Sequence, residues 1–277
     1  MTRFRAGSVF AVVAASLTSC LLSGCTTESS NPPDALGTDA LTVQIVQAFP
    51  HDPDAFTQGL EIDGDRLYES TGRVGQSWVR SNTITDPDAP TSGPEVARAD
   101  LEAPLFGEGI TVHDDILWQL TWKNGVAIAR DKNSLTELRR VRLDTEGWGI
   151  CSFADRLITS DGSAVLTVRD PKTFDPLSTV SVARNGVAVD NLNELECAED
   201  GKVLANVWTT DTIVEIDPAD GTITATIDAS PLRNELDTTG STRPLDVLNG
   251  IAQIPGTDRF LLTGKYWPQM FEVRFVA

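Results

Sequence analysis

Histidine is almost missing from this 277-residue chain, which has two, His51 and His113, and cysteine is scarce, with four. Two of the cysteines, Cys20 and Cys25, fall at the N-terminus, leaving Cys151 and Cys197 in the body. A His- or Cys-rich zinc centre is therefore nearly excluded, because such sites need three or four of these ligands. A Ser-His-Asp hydrolase would have to use one of the two histidines, and neither lies beside a nucleophile motif such as GxSxG. His51 reads as part of a His-Asp-Pro-Asp turn, and His113 as a solvated residue in the polar loop between two strands. Basic residues are also few, 22 Lys and Arg against 40 Asp and Glu, for a formal charge of −18. That balance argues against nucleic acid and anionic membrane surfaces as partners. Outside residues 9–22 there is no long apolar run, so no segment of the body is expected to span a bilayer.

The N-terminus does carry signals. Arg3 and Arg5 precede the apolar stretch, which is short for a membrane span and reads as an export signal. It ends in Leu22-Ser23-Gly24-Cys25, which resembles the bacterial lipobox and makes Cys25 the expected lipidation site. Leu17-Thr18-Ser19-Cys20 is a weaker version of the same pattern. The expected organisation is a lipoprotein signal over 1–24, a disordered tether over 25–40 and one extracytoplasmic body over 41–277. That body is expected to be monomeric and to meet the membrane only through its lipid anchor.

Short alternating runs bounded by Asp, Gly, Pro and Asn fill the body, and hardly any segment has helical period, so the chain is all-β. One unit recurs: QGLEIDGDRLYES from Gln58, EGITVHDDILWQL from Glu108, WGICSFADRLITS from Trp148, ELECAEDGKVLAN from Glu194 and NGIAQIPGTDRFLLT from Asn249. The anchors Gly59, Gly109, Gly149, Leu195 and Gly250 differ by 50, 40, 46 and 55 residues, a period that suits four strands per unit. The sequence thus predicts a five-bladed β-propeller. The last unit lacks a fourth strand, and Leu41–Phe49 is left over to supply it by pairing with the C-terminal strand, closing the ring. Ser230–Val247 fits no unit and reads as an insertion with a short helical turn over one face.

Cys151 and Cys197 both lie two residues after an anchor in consecutive units, which favours a disulfide between neighbouring inner strands in an exported protein. Gln58, Glu108, Trp122, Trp148, Asn193, Trp208 and Lys265 lie at starts of inner strands or ends of second strands, positions that converge around the channel mouth of a propeller. Glu108 is bracketed by Gly107 and Gly109, which permit close backbone approach there.

FPHDPDAFTQGL, LYESTG, FGEGIT, TWK, EGWGI, SDGS, LNELE, NVW, LNGIA and LTGKYWP, taken in order from Phe49 to Pro268, resemble the plant and bacterial type of glutaminyl-peptide cyclotransferase. The resemblance implies a five-bladed propeller that turns N-terminal glutamine of peptides into pyroglutamate with release of ammonia, without a catalytic metal. It implies that Glu108 is the proton shuttle and that Phe56, Gln58, Trp122, Trp148, Asn193, Trp208 and Lys265 line the substrate pocket. The repeat register sets Glu194 beside Gln58 and Glu108, whereas the family motif favours Asn193; Asn193 is the chosen residue. The sequence leaves open whether an ion occupies the central channel. A carboxylate desolvated among tryptophans gains a raised pKa and can act first as base and then as acid. Two rival readings keep the propeller: a non-enzymatic binding module, and a glycoside hydrolase using Glu108 and Glu194 as its carboxylate pair.

Overall fold

The computed structural model describes residues 39–86, 90–91, 93–239 and 243–277; the expected signal, Cys25 and the tether up to residue 38 lie outside them. Strand β1 (Asp39–Pro50) leads into a four-stranded sheet of β2 (Thr57–Asp63), β3 (Arg66–Thr71), β4 (Trp78–Thr83) and β5 (Glu95–Asp100). A second sheet holds β6 (Gly107–His113), β7 (Ile116–Thr121), β8 (Val126–Asp131) and β9 (Glu137–Arg142). The third holds β10 (Ile150–Phe153), β11 (Arg156–Thr159), β12 (Val165–Arg169) and β13 (Pro176–Ser181). A small ribbon, β14 (Ala183–Arg184) with β15 (Val187–Ala188), precedes β16 (Leu192–Cys197), β17 (Val203–Val207), β18 (Thr212–Ile216) and β19 (Ile223–Asp228). Helix α1 (Pro231–Asn234) opens the predicted insertion, and β20 (Leu248–Gln253), β21 (Arg259–Gly264) and β22 (Gln269–Val276) finish the chain. The architecture is all-β and propeller-like, and α1 is the one α-helix among the described residues.

Within each four-stranded sheet, burial falls from the first strand to the last. GEGITVH of β6 and ILWQLT of β7 are almost wholly buried, while ELRRVR of β9 is mostly exposed. First strands are covered on both faces and read as apolar or small; last strands are solvated edges, where the charges of β5 and β9 and Pro176 of β13 discourage edge-to-edge pairing. Apolar layers fill the space between successive sheets. Tyr68 and Val79 meet Ile110 and Leu117; Trp118 and Leu120 meet Ile150 and Leu157; Ile158 and Leu166 meet Leu195 and Val203.

β1 pairs antiparallel with β22, from Thr42↔Val276 to Pro50↔Gln269, with a bulge between Ile45 and Gln47. It also pairs in parallel with β19, from Asp39↔Ala225 to Thr42↔Asp228, which the sequence did not suggest. These two ladders merge β16–β19 and β20–β22 into one eight-stranded sheet through β1. Asp39 and Ala40, assigned to the tether by sequence, therefore begin the strand.

Three further expectations change. The His51 side chain is buried rather than lying in a solvated turn: its Nε2 meets Glu69 Oε1 at 2.8 Å and its Nδ1 meets the Trp267 carbonyl at 2.7 Å. Both ring nitrogens face acceptors, so the ring is held as an imidazolium. Burial works against that charge, but the Glu69 carboxylate outweighs it and leaves the His51 pKa above its usual value. Burial would likewise raise Glu69, yet His51, Arg80 and Thr57 bring it down to about 2. His113 ends β6 instead of sitting in a loop, with Nδ1 2.8 Å from Ser152 Oγ.

The third change is a register. Four first strands carry a bulge where they begin: between Thr57 and Gly59, Gly107 and Ile110, Leu192 and Leu195, and Leu248 and Ile251. Matching these bulges aligns Glu108 with Asn193 and Gly109 with Glu194, so the fourth unit's anchor is Glu194 and not Leu195. Gly59, Gly109 and Gly149 sit where the first strands touch; a Cβ on Gly109 would lie 2.7 Å from the Trp148 carbonyl oxygen, and one on Gly149 2.8 Å from the Glu194 Cα. The fourth unit puts a glutamate where these three units have a glycine. Its carboxylate is buried, taking the Leu60 N–H at 3.2 Å and the Ile251 N–H at 2.9 Å. Cys151 and Cys197 are joined by a disulfide, with Cα atoms 5.2 Å apart, though in the corrected register they sit two and three residues past their anchors.

Candidate active site

The bulges aim side chains. Because two residues on the bulged strand face one on its partner, one of the pair is turned out of the sheet. Glu108, Asn193 and Gln58 are such residues, and each lines one cavity of about 250 Å³ together with Trp148. A second repeated position is the residue just after each second strand: Trp122 after β7, Trp208 after β17 and Lys265 after β21. Their backbone N–H groups bond the carbonyls of Phe106, Asn191 and Val247 across the hairpin, which fixes them over the same cavity. In the first unit this place is Gly72, where a Cβ would lie 2.2 Å from the Phe106 ring, so the ring of Phe106 fills it instead.

All eight residues expected from the sequence, Phe56, Gln58, Glu108, Trp122, Trp148, Asn193, Trp208 and Lys265, are brought together around this cavity. Glu194 is not among its lining residues. Arg73, Phe106 and Asp246 also line it and were missed. Phe106 had a signal: it stands two residues before Glu108, as Phe56 stands two before Gln58. Asp246 comes from the insertion after α1.

The floor is polar and buried. Gln58, Glu108, Asn193 and Lys265 are each no more than 5 % exposed. Gln58 Nε2 donates to Glu108 Oε1 at 3.1 Å, and Asn249 Nδ2 donates to Gln58 Oε1 at 3.4 Å and to the Thr57 carbonyl at 3.1 Å, which fixes the orientation of the Gln58 amide. Ser70 Oγ donates to the Glu108 carbonyl, and the Gly109 N–H to that of Trp148, pinning the bulge. Burial pushes the Glu108 carboxyl well above the usual range; the Lys265 ammonium opposes this and the Glu146 carboxylate adds to it. Burial lowers Lys265, against the pull of Glu108 and Asp246. Both groups are thus moved toward their neutral forms, the condition in which a proton is easily given or taken near neutrality.

The walls are aromatic. Phe56 and Phe106 meet edge to face with centroids 6.2 Å apart, Phe106 and Trp122 lie 5.6 Å apart, and Trp148 and Trp208 5.4 Å apart. Glu146 sets two of the indoles, accepting from Trp122 Nε1 at 2.9 Å and Trp148 Nε1 at 3.1 Å. It stands two residues before Trp148, the same repeated place as Phe56 and Phe106. Among the described residues no group of three or more His, Cys, Asp or Glu is arranged to hold a metal ion. The volume falls just under the range of about 300–1,000 Å³ that takes drug-sized ligands, and suits one amino-acid residue. Such a pocket can hold an uncharged amide against aromatic faces and move a proton between two nitrogens through Glu108.

Comparison with known proteins agrees over most of the chain. Residues 15–275 match the family described as glutamine cyclotransferase. The glutaminyl-peptide cyclotransferase of Arabidopsis thaliana is 37% identical over 234 residues, which cover 84% of this chain and 71% of that protein. Among solved structures, the glutaminyl cyclase of Myxococcus xanthus matches with a TM-score of 0.77 at 37% identity, covering 86% of this chain and 98% of that one.

Proposed function

The chain belongs to the glutamine cyclotransferase family, and from that premise we propose how its cavity does the work. The protein is a glutaminyl-peptide cyclotransferase: it closes the N-terminal glutamine of a peptide to pyroglutamate and releases ammonia. The substrate's neutral α-amine attacks its own γ-carboxamide carbon, forming the ring C–N bond; the bond to the side-chain nitrogen breaks. Glu108 takes the proton that the attacking amine must lose and gives it to the departing nitrogen, which leaves as ammonia. Lys265 and Asn193 supply donors for the negative charge that gathers on the carboxamide oxygen. Gln58 holds the Glu108 carboxylate, and Phe56, Trp122, Trp148 and Trp208 enclose the folded glutamine and exclude water.

The observation that carries this assignment is the buried Glu108, bonded to Gln58 in an aromatic cavity that also holds Lys265. Catalysis on this reading needs no metal, since the lining offers two carboxylates, Glu108 and Asp246, and no His or Cys. Glu194, with its oxygens bonded to two backbone amides, is unsuited to be a second hydrolytic carboxylate. Incubation with a peptide beginning in Gln should release one ammonia per peptide and block its N-terminus; a protein that binds such peptides without ammonia release would be a binding module instead.

We read the sheets as five blades of a closed ring. In support, the first and last units share an apolar layer, Leu60 and Ile62 against Ala252, Leu261 and Met270, and β1 provides β22 with the fourth-strand partner that its unit lacks. We also propose a monomeric lipoprotein, exported by residues 1–24 and anchored through Cys25 outside the cytoplasm; the Leu-Ser-Gly-Cys sequence supports this.

A further inference from the structure

One side of the cavity mouth departs from the acidic character of the chain. Phe56 and Tyr266 lie with ring centroids 5.1 Å apart and form a shelf at the rim. Two guanidiniums rest on it. Arg73 is 3.9 Å from the Phe56 centroid and donates from Nε to the Tyr266 hydroxyl at 3.1 Å. Arg243 is 5.0 Å from the Tyr266 centroid and reaches the same hydroxyl from Nη1 at 3.4 Å.

Arg73 and the Tyr266 ring of the shelf are held there by unusual backbone. Arg73 has φ +100° and Tyr266 φ +61°, in the region that residues with a Cβ rarely adopt. Arg73 is pinned by the Gln76 N–H and Ser77 Oγ, both donating to its carbonyl, and Tyr266 by its N–H to the Ala55 carbonyl. Such strain persists only where surrounding structure enforces it, and it gathers where a side chain must be presented.

Among the described residues, Arg73 is the one cavity-lining cation that is also exposed. A guanidinium has five N–H donors. Among the described residues, Arg73 uses one of them and has no carboxylate within ion-pair distance. Arg243 pairs with Asp54 at 3.1 Å, an acid that is itself 70% exposed, and among the described residues keeps donors free. Lys123, over the Trp122 ring, is paired with Glu146 at 3.4 Å. Asp246, which also lines the cavity, acts on Lys265. The unfilled positive capacity is therefore at the Arg73 side, where a peptide leaving the cavity after its first residue can pass.

Building on the cyclotransferase reading, we propose that Arg73 and Arg243 read a carboxylate carried by the residue after the N-terminal glutamine, so that preferred substrates begin Gln-Glu or Gln-Asp. A fork of guanidinium donors matches a carboxylate's two oxygens, and the aromatic shelf beneath keeps both arginines extended.

The test compares kcat/KM for Gln-Glu-Ala-amide, Gln-Gln-Ala-amide and Gln-Lys-Ala-amide, with Gln-Ala and Gln-Ala-amide to separate a side-chain carboxylate from a chain-terminal one. The expected order is acidic, neutral, basic, with the acidic peptide favoured over the neutral by about 5-fold or more at low salt. That ratio should fall toward one at roughly 0.5 M salt. Arg73→Gln and Arg243→Gln should each lower the acidic-to-neutral ratio, and the double variant should abolish it. If Arg73 only props Phe56, its variant lowers kcat/KM for all three peptides alike and leaves the ratio intact, which overturns the proposal. A flat ratio in the wild type, with brisk turnover of the neutral peptide, overturns it while leaving the cyclotransferase reading in place. Absence of turnover on every peptide overturns both.

Discussion

Glu108→Gln is the substitution that the reaction should tolerate least and the fold most. The new amide keeps the side-chain shape and still accepts from Gln58 Nε2, 3.1 Å away in the wild type. The bulge that presents it is fixed by backbone and by Ser70, not by the carboxylate. Burial holds the wild-type carboxyl well above its usual pKa, so the folded state binds the proton more readily than the unfolded chain does. Stability contributed by that group is therefore fully present below the usual carboxylate range, declines as pH rises out of that range, and is lost once pH has passed the raised folded-state value. A neutral glutamine escapes that penalty, and Glu108→Gln should melt no earlier than wild type at pH 8. Catalysis is another matter, because one carboxylate accepts the proton from the amine and returns it to the leaving nitrogen. Positioned proton transfer contributes about 10²- to 10⁴-fold, so turnover should fall by that factor, or about 2.7–5.4 kcal/mol of barrier. Coupled ammonia detection on a saturating Gln-peptide measures kcat, and calorimetry checks the fold. A kcat above about one tenth of wild type, in a protein of unchanged melting temperature, would refute the role of Glu108.

Glu194→Gln tests the other acid: turnover should stay of the same order as wild type, and a loss there alongside a near-normal Glu108→Gln would move the chemistry to the fourth unit. Activity should fall on the acid side as Glu108 and the substrate amine take up protons, and the Glu108 limb can be moved both ways. Glu146→Gln removes a charge that raises Glu108 and should shift it to lower pH, whereas Lys265→Met removes one that lowers Glu108 and should shift it to higher pH; movement in the reverse senses in pH profiles of kcat/KM would contradict the electrostatics. The disulfide closes a 46-residue separation, for which chain entropy predicts about 4 kcal/mol of stabilisation, so Cys151→Ser with Cys197→Ser should lower stability by up to that amount in urea melts.

Much of this was visible in the sequence because repetition makes position informative. Alternating runs and turn residues marked each hairpin, and the glycines of the first three units marked where first strands touch. The register failed at the fourth unit because a glutamate occupies that place, and a glycine-based alignment slid by one residue to Leu195. Only the bulge pairing corrects it, and pairing is not written in a single strand. His51 was misread for a related reason: the acid that holds it, Glu69, and the Trp267 carbonyl are distant in sequence, so its turn-like neighbours spoke louder. Phe106 and Glu146 were within reach, two residues before the site position of their units, as Phe56 is. Arg73 and Asp246 were not, since one depends on a left-handed backbone and the other on how an irregular insertion folds back.

The double pairing of β1 has a consequence for how the chain is assembled. This strand is synthesised before every other described strand, yet its partners β19 and β22 come late, and the second is the last described strand. Contacts between opposite ends of a chain slow folding, because loop closure must precede the gain from pairing. The early sheets can form as local hairpins while β1 waits unpaired. A chain that stops short of β22 would leave β1 and β21 each with an open edge, and open edges are templates for pairing with other chains. Loss of a few C-terminal residues should therefore favour aggregation far more than their small share of the core would indicate.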